Sequence, residues 1–383
     1  MSEVFIRVLL SLCLMGPLYC YGQVQRKWEI KGYIKGMMMS TQDPYHGDRL
    51  LSEFTQTRVR NDLNITQHVS LRMDARFSLY GGDLVERYPI IYQTMDNDRG
   101  MVDLTFENDI MEHYSTVFNV DRMLLDVDYN KWNLSIGRQR INWGVNTLWN
   151  PNDVFNAYDF FDFDYEERPG RDAFRFQCAT GDMAFVEFAT AYEENHDPST
   201  AILYRFNRNG YDWQILTGNA RGNWLGGIGW AGNISDLGFK GEIRYSYFHD
   251  DPRLEYGMVA SLGVDRTFEP GWYIGLNSFY NGEMKNPLVK AAYSSDTYSS
   301  NLMGGSALSY QRALALQLSK QFNIKWNSGL VLLYADGEQW VVMPSLNYSL
   351  GEDLEALLTG MGFYGKSPQQ SNVFLRLKWS FSS

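Results

Sequence analysis

Read in steps of two, the last eleven residues, Val373 to Ser383, separate into Val373, Leu375, Leu377, Trp379 and Phe381 on one face and Arg376, Lys378 and Ser380 on the other. A strand split in this way needs an apolar medium on one side and a polar one on the other. If the apolar medium is lipid, every backbone group must be satisfied within the protein, and among strands only those of a closed barrel meet that condition. A soluble sandwich alternates as well, so the rest of the chain has to decide between the two.

The rest of the chain points to the barrel. Residues 1–22 carry Arg7, an apolar stretch from Val8 to Met15, a Gly-Pro break at 16 and 17 and a small residue, Gly22, before Gln23. That is the pattern of a secretory signal peptide. Tyr19 stands where a lipoprotein signal needs a small residue, so Cys20 is read as part of the leader. Cys178 is then the one cysteine left in residues 23–383, which excludes an intramolecular disulfide. The near-terminal Phe381 resembles the signal by which assembly machinery recognises bacterial outer-membrane proteins. Hydrophobic residues make up 44%, yet no later stretch reaches the roughly 18 apolar residues of a membrane helix. The 25 Tyr and 11 Trp suit the aromatic girdles of a membrane barrel.

Alternation recurs in segments of about 9 to 13 residues, the span of tilted membrane strands. Val69, Leu71, Met73, Ala75, Phe77 and Leu79 oppose Ser70, Arg72, Asp74, Arg76 and Ser78. Leu237, Phe239, Gly241, Ile243, Tyr245 and Tyr247 oppose Lys240, Glu242, Arg244 and Ser246, and Leu314, Leu316 and Leu318 oppose Ala313, Ala315, Gln317 and Ser319. Weaker stretches are the Gly-rich run Trp224 to Gly232 and the strand interrupted by Pro344. About eighteen strands are predicted (16 to 20), starting near 28, 51, 69, 116, 131, 172, 183, 200, 211, 223, 236, 256, 271, 306, 323, 339, 354 and 372. Their connections are expected to alternate strictly. Tight hairpins at Asn130-Lys131, Gly181-Asp182, Asn209-Gly210, Glu269 to Gly271 and Gly351 to Asp353 face the periplasm. Long loops at 40–49, 81–115, 143–170, 193–199, 281–305 and 365–371 face outward. The fold class is therefore all-β, a single transmembrane antiparallel barrel over residues 23–383.

Charge is distributed unevenly. Residues 81–115 hold eight carboxylates against Arg87 and Arg99, a balance of −6, and residues 143–170 hold six against Arg168, a balance of −5. Together these account for the whole formal charge of −11. Inward positions of the wall offer Arg58, Arg60, Arg72, Arg76, Arg122, Arg175, Arg205, Lys240, Arg244, Arg376 and Lys378, partly answered by Asp62, Asp74, Asp126 and Glu242. An acidic loop beside a basic wall sets up a transverse field that selects polar solutes in a pore. The alternative is a solvated loop surface, bridged to lipopolysaccharide by divalent cations.

The loop at 143–170 has a distinctive lead-in. After Trp132, Leu134 and Ile136, the chain reads Gly137-Arg138-Gln139-Arg140-Ile141-Asn142-Trp143-Gly144 and continues to Trp149-Asn150-Pro151-Asn152-Asp153. By strict phase Arg138 and Arg140 face lipid, so either a bulge at Gly137 turns them inward or they stand above the hydrocarbon. The run over 136–153 resembles the alginate-export family of outer-membrane porins and related porin families. That resemblance implies an eighteen-stranded barrel passing a solute across the outer membrane. The chain departs from it in diluting its basic wall with carboxylates.

The expected constriction loop carries Arg138, Arg140, Trp143, Trp149, Asp153, Phe155, Tyr158, Asp159, Asp162, Asp164, Glu166 and Glu167. Its rings could hold sugars by stacking, or pack the loop against itself. It is expected to fold inward and set its carboxylates against Arg72, Arg76 and Arg175, because apolar rings gain from leaving water.

His196-Asp197-Pro198 and His249-Asp250-Asp251-Pro252 raise a catalytic or metal-site alternative, together with His46 and His113. Sequence neighbours do not aim at one another as a base and its orienting partner do, no G-x-S-x-G motif is present, and turn chemistry explains His-Asp-Pro. No catalytic residue, metal site, cofactor or nucleic-acid partner is expected. The chain reads as a passive porin-like outer-membrane channel for small or saccharide-type solutes, in contact with outer-membrane lipid and lipopolysaccharide. A non-conducting structural or assembly barrel of a cell-surface complex is the alternative.

Overall fold

The computed structural model describes residues 28–43, 46–88, 100–111, 114–155, 170–193, 197–220, 222–248, 256–285, 310–365 and 370–382. They form nineteen strands. In chain order these are β1 (Trp28–Gln42), β2 (Arg49–Asn64), β3 (Val69–Gly82), β4 (Thr105–Met111), β5 (Tyr114–Tyr129), β6 (Trp132–Gln139), β7 (Arg171–Gly181), β8 (Ala184–Tyr192), β9 (Ser199–Arg208) and β10 (Tyr211–Ala220). There follow β11 (Asn223–Ile234), β12 (Leu237–Tyr247), β13 (Tyr256–Phe268), β14 (Trp272–Asn281), β15 (Arg312–Gln321), β16 (Trp326–Ala335), β17 (Gln339–Ser349), β18 (Leu354–Tyr364) and β19 (Gln370–Ser382).

Each wall strand is antiparallel to its neighbours, and β1 pairs with both β2 and β19, so the sheet closes on itself. Because β3 pairs directly with β5, the wall has eighteen strands and β4 stands outside that count. Closure leaves no unpaired edge around the ring.

The extra strand has a local cause. β5 is 16 residues long, whereas β6 has only 8 before the chain leaves the wall after Gln139. The upper part of β5 would then lack a neighbour on one side. β4 takes that place, with Thr105 opposite Asn119 and Met111 opposite Tyr114. This corrects the reading of 81–115 as loop throughout.

Outside, the ring presents Leu71, Phe77, Leu125, Ile215, Leu276, Leu314, Leu358 and Leu375 as exposed apolar side chains, the belt that lipid requires. Aromatics flank it, as in the Tyr129, Trp132 and Phe176 row with successive centroids 5.7 and 6.4 Å apart. The left-handed turn at Asn209 (φ 56°) and Gly210 (φ 78°) suits a two-residue hairpin. Strict alternation of connections does not hold, because at the long-loop end β10 and β11, and β16 and β17, are separated by as few residues as the strands joined opposite. The strand expected at 306 begins at Arg312, and the one expected at 323 begins at Trp326.

Inside, the long-loop end of the barrel holds an apolar core. Met39, Leu50, Tyr80, Val259, Phe279, Leu333, Val341, Phe363 and Phe374 point inward and are buried. They pack with Leu84 and Val85 of a short helix, Asp83–Arg87, and with Leu148 and Trp149. The helix is latched by Asp43, whose fully buried carboxylate accepts from Arg87 at 2.7 Å and from the Tyr88 hydroxyl at 3.0 Å. That hydrogen bond, against a smaller desolvation cost, raises the Arg87 guanidinium above its ordinary pKa.

Candidate functional site

Two stretches of the inner wall carry most of the polar chemistry, and they stand nearly opposite. Around the ring, β12 is eight places from β3 in one direction and ten in the other.

The first stretch is a ladder on β2, β3 and β5. Alternation aims Arg58, Arg60, Arg72, Asp74 and Arg76 inward, and cross-strand neighbours are close enough to pair. Asp74 is fully buried and meets Arg58 and Arg60, each at 3.1 Å, with Arg122 at 3.9 Å. Asp121 meets Arg58 and Arg76, each at 3.2 Å. At the short-turn end Arg72 pairs with Asp62 at 2.6 Å and remains partly exposed. Sequence reading missed Asp121 because strict phase turns it outward. The register slips between Asp74 and Ala75, so that Arg122 and Val120 flank an extra residue, and this bulge brings Asp121 inward. Five arginines thus face three aspartates.

The second stretch, on β8 to β14, is occupied by the segment 140–155, which leaves the wall after β6. Glu242 on β12 accepts the main-chain N–H of Val145 at 2.6 Å, of Asn146 at 2.9 Å and of Asn152 at 2.8 Å. Arg205 donates to the Trp143 carbonyl at 3.1 Å, and Arg244 to the Pro151 carbonyl at 2.9 Å. The Trp143 indole donates to Glu187 at 2.7 Å and stands edge-on to Phe155 at 4.9 Å. Trp149 stacks on Phe279 at 5.3 Å, and Asn152 donates to the Ile228 carbonyl at 2.9 Å.

The segment is held, but not by the pairs expected from sequence. Arg72 and Arg76 are engaged by Asp62 and Asp121, and Arg175 lies 3.6 Å from Glu187. The wall supplies the carboxylates and guanidiniums of these contacts, and the segment answers with main-chain groups and with the Trp143 indole. Asp153 is buried, and one of its oxygens lies 3.4 Å from the Trp143 N–H. Tyr158, Asp159, Asp162, Asp164, Glu166 and Glu167 lie outside the described residues.

The remaining predicted positions are placed as follows. Lys240 pairs with Asp265 at 2.8 Å, Arg244 with Glu283 at 3.3 Å, and Arg376 and Lys378 with Glu355 at 3.1 and 3.5 Å. Asp126 lies beside Asn133 and Ser135 on β6. Arg140 is half-buried at the exit from β6. Arg138 needs correction, since it belongs to β6 and not to the loop. It is buried against Asp172 at 3.0 Å and under the segment at 100–104, and one of its nitrogens reaches the Val120 carbonyl at 3.4 Å. The bulge expected at Gly137 is absent, because Ile136, Gly137 and Arg138 pair in unbroken register with both β5 and β7, although Gly137 takes φ 118° and a Cβ there would meet the Met123 carbonyl at 2.3 Å. His46 sits 3.0 Å from Asp43 in the latch, and no group of three His, Cys, Asp or Glu among the described residues could hold a metal ion.

No family model matches the chain, so the alginate-export resemblance rests on residues 136–153 alone. No curated protein matches it either. Solved structures do. Pseudomonas aeruginosa OccK5 (OpdH) aligns at 8% identity and TM-score 0.59 over 93% of this chain and 98% of that one. Acinetobacter baumannii OccAB4 aligns at 11% identity and TM-score 0.57, over 94% and 100%. Pseudomonas aeruginosa OpdK, solved with vanillate, aligns at 10% identity and TM-score 0.57, over 93% and 99%. The chain has the fold of these outer-membrane barrels along nearly its whole length.

Proposed function

We propose that this chain is a passive outer-membrane channel for small polar solutes, with the segment at 140–155 as its constriction. The observation that carries the reading is the docking of that segment on β8 to β14, opposite an arginine-rich ladder. A solute passing between them meets a backbone-rich rim on one side and five arginines with three aspartates on the other. That composition favours small solutes bearing a carboxylate. OpdK, which shares the fold, was solved with an aromatic carboxylate.

A saccharide preference has weaker support. Trp143, Trp149 and Phe155 are buried in packing, so stacking on sugars would fall to the rings between Tyr158 and Tyr165. On this reading the leader at 1–22 is removed, the belt contacts outer-membrane lipid and lipopolysaccharide, and no cofactor or catalytic residue is required. Assembly machinery would read the terminal strand.

The apolar core at the long-loop end favours a second reading, a barrel closed at rest that serves as a structural element. Single-channel recording of the purified protein in planar bilayers under asymmetric salt separates the two. The channel reading expects discrete conductance steps with a measurable ion preference. A folded protein that never conducts leaves the structural barrel.

A further inference from the structure

Most inward carboxylates of this barrel meet cationic side chains, as Asp74 meets Arg58 and Arg60, Asp265 meets Lys240, and Glu355 meets Arg376. Glu242 is different. It is fully buried, and its hydrogen bonds come from three main-chain N–H groups of one segment, two at Oε1 and one at Oε2. Main-chain N–H groups converging on one anion form a nest, and a charged acceptor makes each bond about twice as strong as a neutral one.

The wall is also cut away on either side of this carboxylate. Gly229 and Ser261 stand directly opposite Glu242, and Gly227 and Gly263 lie diagonally from it on β11 and β13. A Cβ at Gly227 would lie 2.4 Å from the Asn152 side-chain oxygen, and one at Gly263 would lie 2.6 Å from that of Asn146. The side-chain amides of Asn152 and Asn146 therefore fit because the strands on either side of β12 carry glycine at these two positions. Carboxylate and glycines form one socket, spread over three strands and matched to Val145–Asn152.

We infer that Glu242 is the positioning residue of the inward segment, its charge and the flanking glycines fixing how deep that segment stands in the lumen. The effect on transport rests on the constriction reading given above, whereas the effect on segment position does not. Glutamine in place of Glu242 turns one acceptor into an N–H2 group that confronts the segment's own N–H donors. Valine in place of Gly263 leaves the charge intact and fills the seat of Asn146.

The test uses the full barrel with Cys178→Ser, carrying Leu148→Cys as a reporter, since Leu148 is only 4% exposed in the docked segment. Reaction with a charged thiol reagent should be at least tenfold faster when Glu242→Gln or Gly263→Val is added, with the folded barrel retained on unheated gels. Glu242→Asp, which keeps the charge on a shorter arm, should fall between. Equal protection in folded Glu242→Gln and Gly263→Val proteins overturns the inference, and should the first fail to fold, the second decides it alone. Faster labelling with unchanged single-channel conductance would uphold the positioning role and remove the constriction reading instead.

Discussion

The two inner walls solve one problem in opposite ways. The ladder on β2, β3 and β5 joins side chains of neighbouring strands, with carboxylates between guanidiniums, and each group is supplied by the wall itself. The β8 to β14 wall is completed by a distant part of the chain, a segment whose Val145 precedes Glu242 by 97 residues. A ladder of neighbours forms as the sheet forms. A docked segment needs the sheet first, and its position then depends on a few groups that nothing nearby can replace.

If that contrast holds, perturbing each wall should give a different failure. The largest effect is expected at Asp74, which is fully buried and meets two arginines directly. Asp74→Asn leaves charge uncompensated inside the wall and should destabilise the barrel by about 3 kcal/mol or more, read as a lower heat-modification midpoint. It should also raise anion preference, and an effect no larger than that of an exposed pair would break the ladder account.

Next comes Gly227→Val, which overfills the socket. An overpacking cost of about 1–3 kcal/mol is expected, appearing as faster protease cutting within 140–155 before any loss of the barrel. Loss of barrel and segment together would erase the distinction between the walls.

Both walls presuppose lipid outside. Trp379→Asp should cost up to about 1 kcal/mol near the interface and lower the amount of heat-modifiable protein in the outer-membrane fraction. Unchanged levels would mean that the closing strand has been misread. The smallest change is expected for Arg72→Ala, because the Arg72–Asp62 pair is partly exposed. Such pairs contribute about 0.2–1 kcal/mol, so its melting midpoint should scarcely move while that of Asp74→Asn falls.

The contrast also explains what could be read from sequence. Period-two alternation gives the phase seen over Val69 to Leu79 and Val373 to Phe381, because strand phase alone sets the direction of each side chain there. Asp121 escaped, since one bulge breaks phase. β4 escaped because its partner edge exists only where β6 ends early. In β16 and β17 both faces are apolar, as in Leu332 and Leu333 or Val341 and Val342, so alternation could not reveal the core inside the barrel.

Glu242 was legible as an inward carboxylate, but its partners are backbone groups, which carry no sequence signal. The Gly-rich run from Trp224 to Gly232 was the one available hint of the socket. It read as a weak strand, whereas Gly227 is where the segment sits.

The central claim is that the segment at 140–155 narrows a conducting lumen, and one comparison tests it directly. Single-channel conductance in planar bilayers should be recorded for the wild-type barrel and for a barrel in which Val145–Asn152 is replaced by a short Gly-Ser link, both shown to be folded by heat modification. The account predicts discrete steps in both, with higher conductance and weaker ion selectivity once the segment is gone. Conductance unchanged by the replacement, or absent before and after it, would contradict the claim.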